Sequence, residues 1–197
     1  MHEALLASEE DRSSDVVTPL QRVLKEQPSS ELANLELGKA LNRLQRSSEA
    51  LPYLQKAVEL APQSGRAHYE LGVALMGTSE LAKSAIEFET AVSLASDSPD
   101  MHFSLGSVYE RMGCNLDAAK EYKTALQLDS RHFLANLMLG RLLGMENQPA
   151  EALPYLQSAV HLNPRSVDVH KFLANVYSEL GQPEKASRER AETEQLS

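Results

Sequence analysis

A chain of 197 residues, 42% hydrophobic and 24% charged, has the balance of an ordinary soluble protein and apolar content enough for a core. Its formal net charge of −9 opposes a phosphate backbone, and no basic stripe interrupts that acidity, so nucleic acid is not expected as a partner. The single cysteine, Cys114, excludes an intrachain disulfide and a cysteine-based zinc site, and no apolar run approaches the roughly 20 residues that span a bilayer.

Ala and Leu dominate while aromatic residues make up only 5%, a mix that favours helix because Ala and Leu lose little freedom in one. In chain order, the opening MHEALLASEEDRSSD lacks a basic region followed by a long apolar run, so it does not read as a signal peptide, and a cytoplasmic location is expected. Residues 15–27 (DVVTPLQRVLKEQ) read as a helix ending before Pro28, with Pro19 about one turn in. Residues 1–30 are expected to be a partial repeat or cap. Either residues 1–14 form an irregular cap, or the chain enters a longer array part-way. In the next segment Ala33, Leu37, Ala40, Leu41 and Leu44 recur on one helical face, and Ala50, Leu54, Ala57 and Leu60 line a face of the helix after it.

That pair of helices recurs. Gly38, Gly72, Gly106 and Gly140 fall 34 residues apart, with Ala174 in the next slot, and each follows a Leu: Leu37, Leu71, Leu105, Leu139 and Leu173. Ala57, Ala91, Ala125 and Ala159 keep the same period, as do Pro28, Pro62 and Pro164, with Ser96 and Ser130 between them. The glycines read as packing residues rather than phosphate binders, and Gly38 is expected to meet Ala57 so that two backbones approach. Breakers at Gly113-Cys114-Asn115 and Gly181-Gln182-Pro183 mark turns inside later pairs. Pro149 and Pro183 suit a first helical turn, whose N–H groups lack partners anyway, whereas Pro52 and Pro154 lie about one turn in. The final helix carries Arg190 and Thr193 where earlier ones have apolar or small residues, as a terminal capping helix needs.

The 34-residue unit, with Leu-Gly early, Ala midway and Pro near the end, resembles the tetratricopeptide family. Residues 67–75 (AHYELGVAL) and 49–62 (EALPYLQKAVELAP) look like near-consensus first and second helices of that repeat. The resemblance covers residues 31–197 as five repeats, 31–64, 65–98, 99–132, 133–166 and 167–197. It implies an all-α fold, a right-handed superhelical array of antiparallel helix pairs with the first helices (A) lining a concave groove. Repeat positions 2, 5, 9 and 12 would face that groove, and the last three share one helical face. Position 5 holds Leu35, Tyr69, Phe103, Leu137 and Lys171; position 9 holds Lys39, Val73, Ser107, Arg141 and Asn175; position 12 holds Asn42, Met76, Glu110, Gly144 and Ser178.

The peptide-binding residues so implied are Leu35, Lys39, Tyr69, Val73, Met76, Phe103, Ser107, Leu137 and Arg141. The apolar series Leu35-Tyr69-Phe103-Leu137, rimmed by Lys39 and Arg141, suits an extended peptide or a partner helix. Tyr69 and Phe103 would be adjacent anchors, dispensable for stability. A second reading stays open, in which superhelical curvature buries the same groups against neighbouring A helices. A chaperone-type carboxylate clamp is not expected: Lys171 and Asn175 match its first pair, but they lie in the last repeat, and Leu35, Tyr69 and Phe103 stand where its Lys would be.

No metal or cofactor is expected. His68, His102 and His170 share repeat position 4, with Asn34 and Asn136 in the other repeats. Equivalent positions in successive pairs lie more than one helix diameter apart, roughly 10 Å, whereas metal ligands converge to about 2 Å. P-loop, nucleophile-elbow and HExxH patterns are absent. The expected function is a non-enzymatic protein–protein interaction module or scaffold. The alternatives are a substrate-presenting domain of a larger enzyme, or self-association through the N-terminal face.

Overall fold

The computed structural model describes the backbone of residues 2–196 and the side chains of residues 14–196. Among the described residues there are eleven helices and no strand. They are α1 (His2–Glu26), α2 (Glu31–Arg43), α3 (Ser47–Leu60), α4 (Gly65–Gly77), α5 (Leu81–Leu94), α6 (Pro99–Arg111), α7 (Asn115–Leu128), α8 (Phe133–Met145), α9 (Pro149–Leu162), α10 (Val167–Glu179) and α11 (Pro183–Leu196). Two compact units divide them, Met1–Asp97 with α1–α5 and Ser98–Ser197 with α6–α11. Residues 2–14 continue α1 as helix rather than forming an irregular cap.

Each pair starts and ends by the same local chemistry. Ser30, Ser64, Ser98 and Ser166 cap α2, α4, α6 and α10, their hydroxyls accepting from Ala33, Ala67, Met101 and Val169 N–H. His132 caps α8 with Nδ1, which accepts from Ala135 N–H at 3.0 Å, while Nε2 faces Asp100 at 3.1 Å. The ring is thus held with its proton on Nε2. The first helix of each pair ends in a left-handed residue: Gln45, Ser79, Gly113, Asn147 and Gly181, with φ between 56° and 80°. The next N–H then reaches back five residues, as Arg46 N does to Leu41 O at 2.8 Å and Cys114 N to Tyr109 O at 2.9 Å. Carbonyls that a helix end would leave unpaired are thereby satisfied.

The atoms nearest Gly38 belong to Leu54 rather than to Ala57. A Cβ at Gly38 would lie 2.3 Å from Leu54 Cγ, and the equivalent glycines Gly72, Gly106 and Gly140 face Phe88, Tyr122 and Leu156. The glycine is the hole and the large side chain of the second helix is the knob. Leu54, Phe88, Tyr122 and Leu156 have no exposed surface, nor do Ala57, Ala91, Ala125 and Ala159 one turn further on. In the last pair Ala174 is followed by Arg190, which stays exposed and donates to Ser178 Oγ at 2.8 Å. Only Ala186 of α11 is buried. No helix among the described residues is long and apolar enough to cross a membrane.

Candidate protein-interaction face

In the first unit, the face in question runs along α2 and α4. Leu35 is only 4% exposed and belongs to the core cluster with Leu54 and Leu71. Lys39, Tyr69, Val73 and Met76 are half-buried, each leaving part of its surface open. The Tyr69 ring rests on Phe88, with centroids 5.6 Å apart. A polar link crosses from α2 to α4: Asn42 Nδ2 donates to the Glu70 carbonyl at 2.9 Å and to its carboxylate at 3.3 Å. Burial raises the Glu70 pKa, opposed by the Asn42 hydrogen bond and by Lys39, Arg66 and Arg43. Asn42 Oδ1, also buried, has no partner among the described residues.

In the second unit, Phe103 and Ser107 are half-buried, whereas Leu137 is 4% exposed and packs in the core with Leu139 and Leu156. Phe103 lies 5.6 Å from the Tyr122 ring and 5.1 Å from His132. The expected exposed series is therefore corrected. Leu35 and Leu137 are core residues, because a Leu side chain ends within the packed layer. The rings of Tyr69 and Phe103 reach past that layer but still lean on Phe88 and Tyr122, so neither is independent of packing. Arg141 is corrected as well. Its guanidinium bonds to Glu110, which also accepts from the Tyr122 hydroxyl at 2.9 Å, so it is a bridging group rather than a free rim cation.

A notch opens beside that bridge, where α8 carries Gly144 at the position held elsewhere by Asn42, Met76 and Glu110. The resulting cavity of about 130 Å³ is lined by Arg141, Gly144, Met145, Phe172 and Asn175, among others. Lys171, Asn175 and Ser178 of α10 are exposed on the same helix face.

The histidines have partners in their own pairs. His68, His102 and His170 place Nδ1 at 2.6–2.7 Å from Glu87, Glu121 and Glu189, each 19 residues on. Where position 4 is Asn, in Asn34 and Asn136, the amide instead donates to carbonyls of the preceding turn, and Tyr53 and Tyr155 replace the Glu. This pairing was in the sequence as a 19-residue offset between two periodic series. Reading the histidines one at a time missed it.

Helix pairs closed by a glycine under a large side chain, repeated at one interval, define an α-helical repeat protein. The chain belongs to the tetratricopeptide repeat family: sequence models of that repeat match residues 18–65, 35–99, 103–166 and 145–189. No curated protein matches the chain at a significant level. Among solved structures it is similar to YrrB, described as a TPR protein with an unusual peptide-binding site, at 19% identity and a TM-score of 0.75, covering 90% of this chain and 92% of that one. It is also similar to MamA, at 24% identity and a TM-score of 0.71, covering 78% and 90%. A second MamA structure, AMB-1, has 20% identity and a TM-score of 0.75, covering 83% and 96%. At these identities the likeness is one of fold.

Proposed function

We propose that this chain is a protein-interaction module that holds a peptide or partner helix against the face formed by its first helices, as five repeats spanning residues 31–197. The observation that carries the proposal is the notch at Gly144. Missing side-chain volume on a helix face, bordered by Phe172, Met145 and two hydrogen-bonding side chains, is shaped to receive a side chain from outside. Phe103, Ser107 and Arg141 of the same unit supply further contacts, and Tyr69, Val73 and Met76 of the first unit form a face of the same kind within that unit. Half-buried aromatic rings anchor interfaces because they bury large area at low entropic cost. YrrB, described as having an unusual peptide-binding site, supports the same use of the fold. The module acts by holding its partner, so no bond-making group is assigned.

The test is to capture partners from the source cell, reduce one to its smallest binding fragment, and titrate that fragment against Tyr69→Ser and Phe103→Ser. Each should weaken binding at least about tenfold, or 1.4 kcal/mol. Each should also lower the melting temperature modestly, because the rings lean on Phe88 and Tyr122. Unchanged affinity in both variants would move the binding surface elsewhere.

A further inference from the structure

Second helices in this chain have a fixed covering. Positions 20, 24 and 27 of each repeat are Ala50, Leu54 and Ala57 in α3, Ser84, Phe88 and Ala91 in α5, Ala118, Tyr122 and Ala125 in α7, and Ala152, Leu156 and Ala159 in α9. All have no exposed surface. In α1 the same register gives Val16, Leu20 and Val23. Val16 and Val23 are each 42% exposed, and Leu20 is partly so. Among the described residues no first helix lies over them. In its place is a cavity of about 440 Å³, walled by Val16 and Leu20 on α1 and by Glu36, Lys39, Ala40 and Arg43 on α2.

The rest of the chain shows what such a space takes. Over each large side chain at position 24 sits a glycine of a first helix, at Gly38, Gly72, Gly106 and Gly140. Four residues after Gly106, Glu110 reaches the following first helix and pairs with Arg141 at position 9. Lys39 occupies that same position 9 beside the cavity, with Arg43 one turn further on, and neither has a salt-bridge partner among the described residues. Glu36 is already tied to Arg66 at 2.7 Å. The wall is thus apolar below and cationic at its rim.

We propose that this end of the first unit is a second docking place, separate from the notch, which takes an amphipathic helix of a partner protein. The helix carries a small residue facing Leu20 and a carboxylate four residues later facing Lys39. Its apolar stripe lies on Val16, Leu20 and Val23 and its acidic edge toward Lys39 and Arg43.

The chain itself supplies a probe with this pattern, a fluorescein-labelled peptide of residues 98–113, containing Gly106 and Glu110. Anisotropy titration against the full chain should show saturable binding that weakens at least about tenfold with Val23→Lys. A Gly106→Leu peptide should be similarly impaired, because its side chain would strike Leu20. Lys39→Glu should weaken the native peptide, and a Glu110→Lys peptide should restore binding to that variant. Circular dichroism melting of Val23→Lys checks that the fold is retained, as expected for a half-exposed position. Absence of saturable binding, or binding indifferent to Val23→Lys and to the Lys39/Glu110 reversal, overturns the proposal. So does sedimentation showing a dimer that Val23→Lys dissolves, which would make a second copy the occupant. Hydrogen exchange showing α1 covered by the chain's own first residues would overturn it as well.

Discussion

Gly106→Ala tests the packing rule on which the rest depends. A Cβ there would lie 2.7 and 2.8 Å from Tyr122 ring atoms and 3.2 Å from the Ala118 carbonyl. Tyr122 cannot yield easily, since it is fully buried and its hydroxyl is bonded to Glu110. Overpacking of this kind costs about 1–3 kcal/mol, and the upper half of that range applies where the neighbour is rigid. Replacing glycine with alanine inside a helix returns about 1 kcal/mol. The net loss should be about 1–2 kcal/mol. In a Tyr122→Ala background, itself about 3–5 kcal/mol less stable, the new methyl enters vacated space. Gly106→Ala should then be neutral or stabilising by up to about 1 kcal/mol, a coupling of roughly 2 kcal/mol. Gly113→Ala is the control: its φ is +80° with nothing within 4 Å, so its cost of about 1 kcal/mol should be the same in both backgrounds. Urea unfolding followed at the helical circular dichroism band gives all the terms, and the slopes reveal whether the array unfolds in one step. Equal effects of Gly106→Ala in the two backgrounds, within about 0.5 kcal/mol, would refute the glycine-under-ring account.

Glu70→Gln should stabilise the chain at neutral pH by about 0.5–1.5 kcal/mol, because burial disfavours the ionised carboxylate and a Gln amide can donate to the unpartnered Asn42 Oδ1. The Glu70 pKa is raised on folding, so its ionisation opposes folding at neutral pH. The advantage of the variant should therefore fade as pH falls through that raised value, read as converging urea midpoints. For His170, burial works against the charged ring, but the Pro164 carbonyl on Nε2 at 2.9 Å and the Glu189 carboxylate on Nδ1 outweigh it and raise its pKa. A raised imidazole pKa contributes stability that is complete below the unfolded value and lost as pH rises through the folded one. The stability difference between the native chain and His170→Gln should thus be largest below about pH 6.5 and shrink above it.

Much of the fold was legible because a repeat states each rule several times. Leu-Gly at one period, the turn at Gly113 and the polar face of α11 could be read directly. The partner of each glycine could not, because position 24 changes identity from Leu54 to Phe88 to Tyr122, whereas Ala57, Ala91, Ala125 and Ala159 keep theirs. Serine caps at Ser30, Ser64, Ser98 and Ser166 were present at the period and went unread because His132 breaks the series. The interaction face was the least legible part. Whether a position-5 side chain is core or surface depends on its length relative to the packed layer, which separates Leu35 and Leu137 from Tyr69 and Phe103. A notch is an absence, and Gly144 falls outside the main glycine series, so only the packed neighbours Met145 and Phe172 reveal it.

The central claim is that a partner side chain occupies the Gly144 notch. Gly144→Leu tests it most directly, because the substitution fills the cavity without a clash at its Cβ: the nearest atom there is Val176 Cγ2, at an ordinary 3.5 Å. Leucine is also the better helix former by up to about 1 kcal/mol, so the melting temperature should hold or rise. Affinity for the minimal partner fragment, measured by calorimetry on the same preparation, should fall at least about tenfold. An unchanged affinity alongside an unchanged or higher melting temperature would contradict the account and take the binding site off this face.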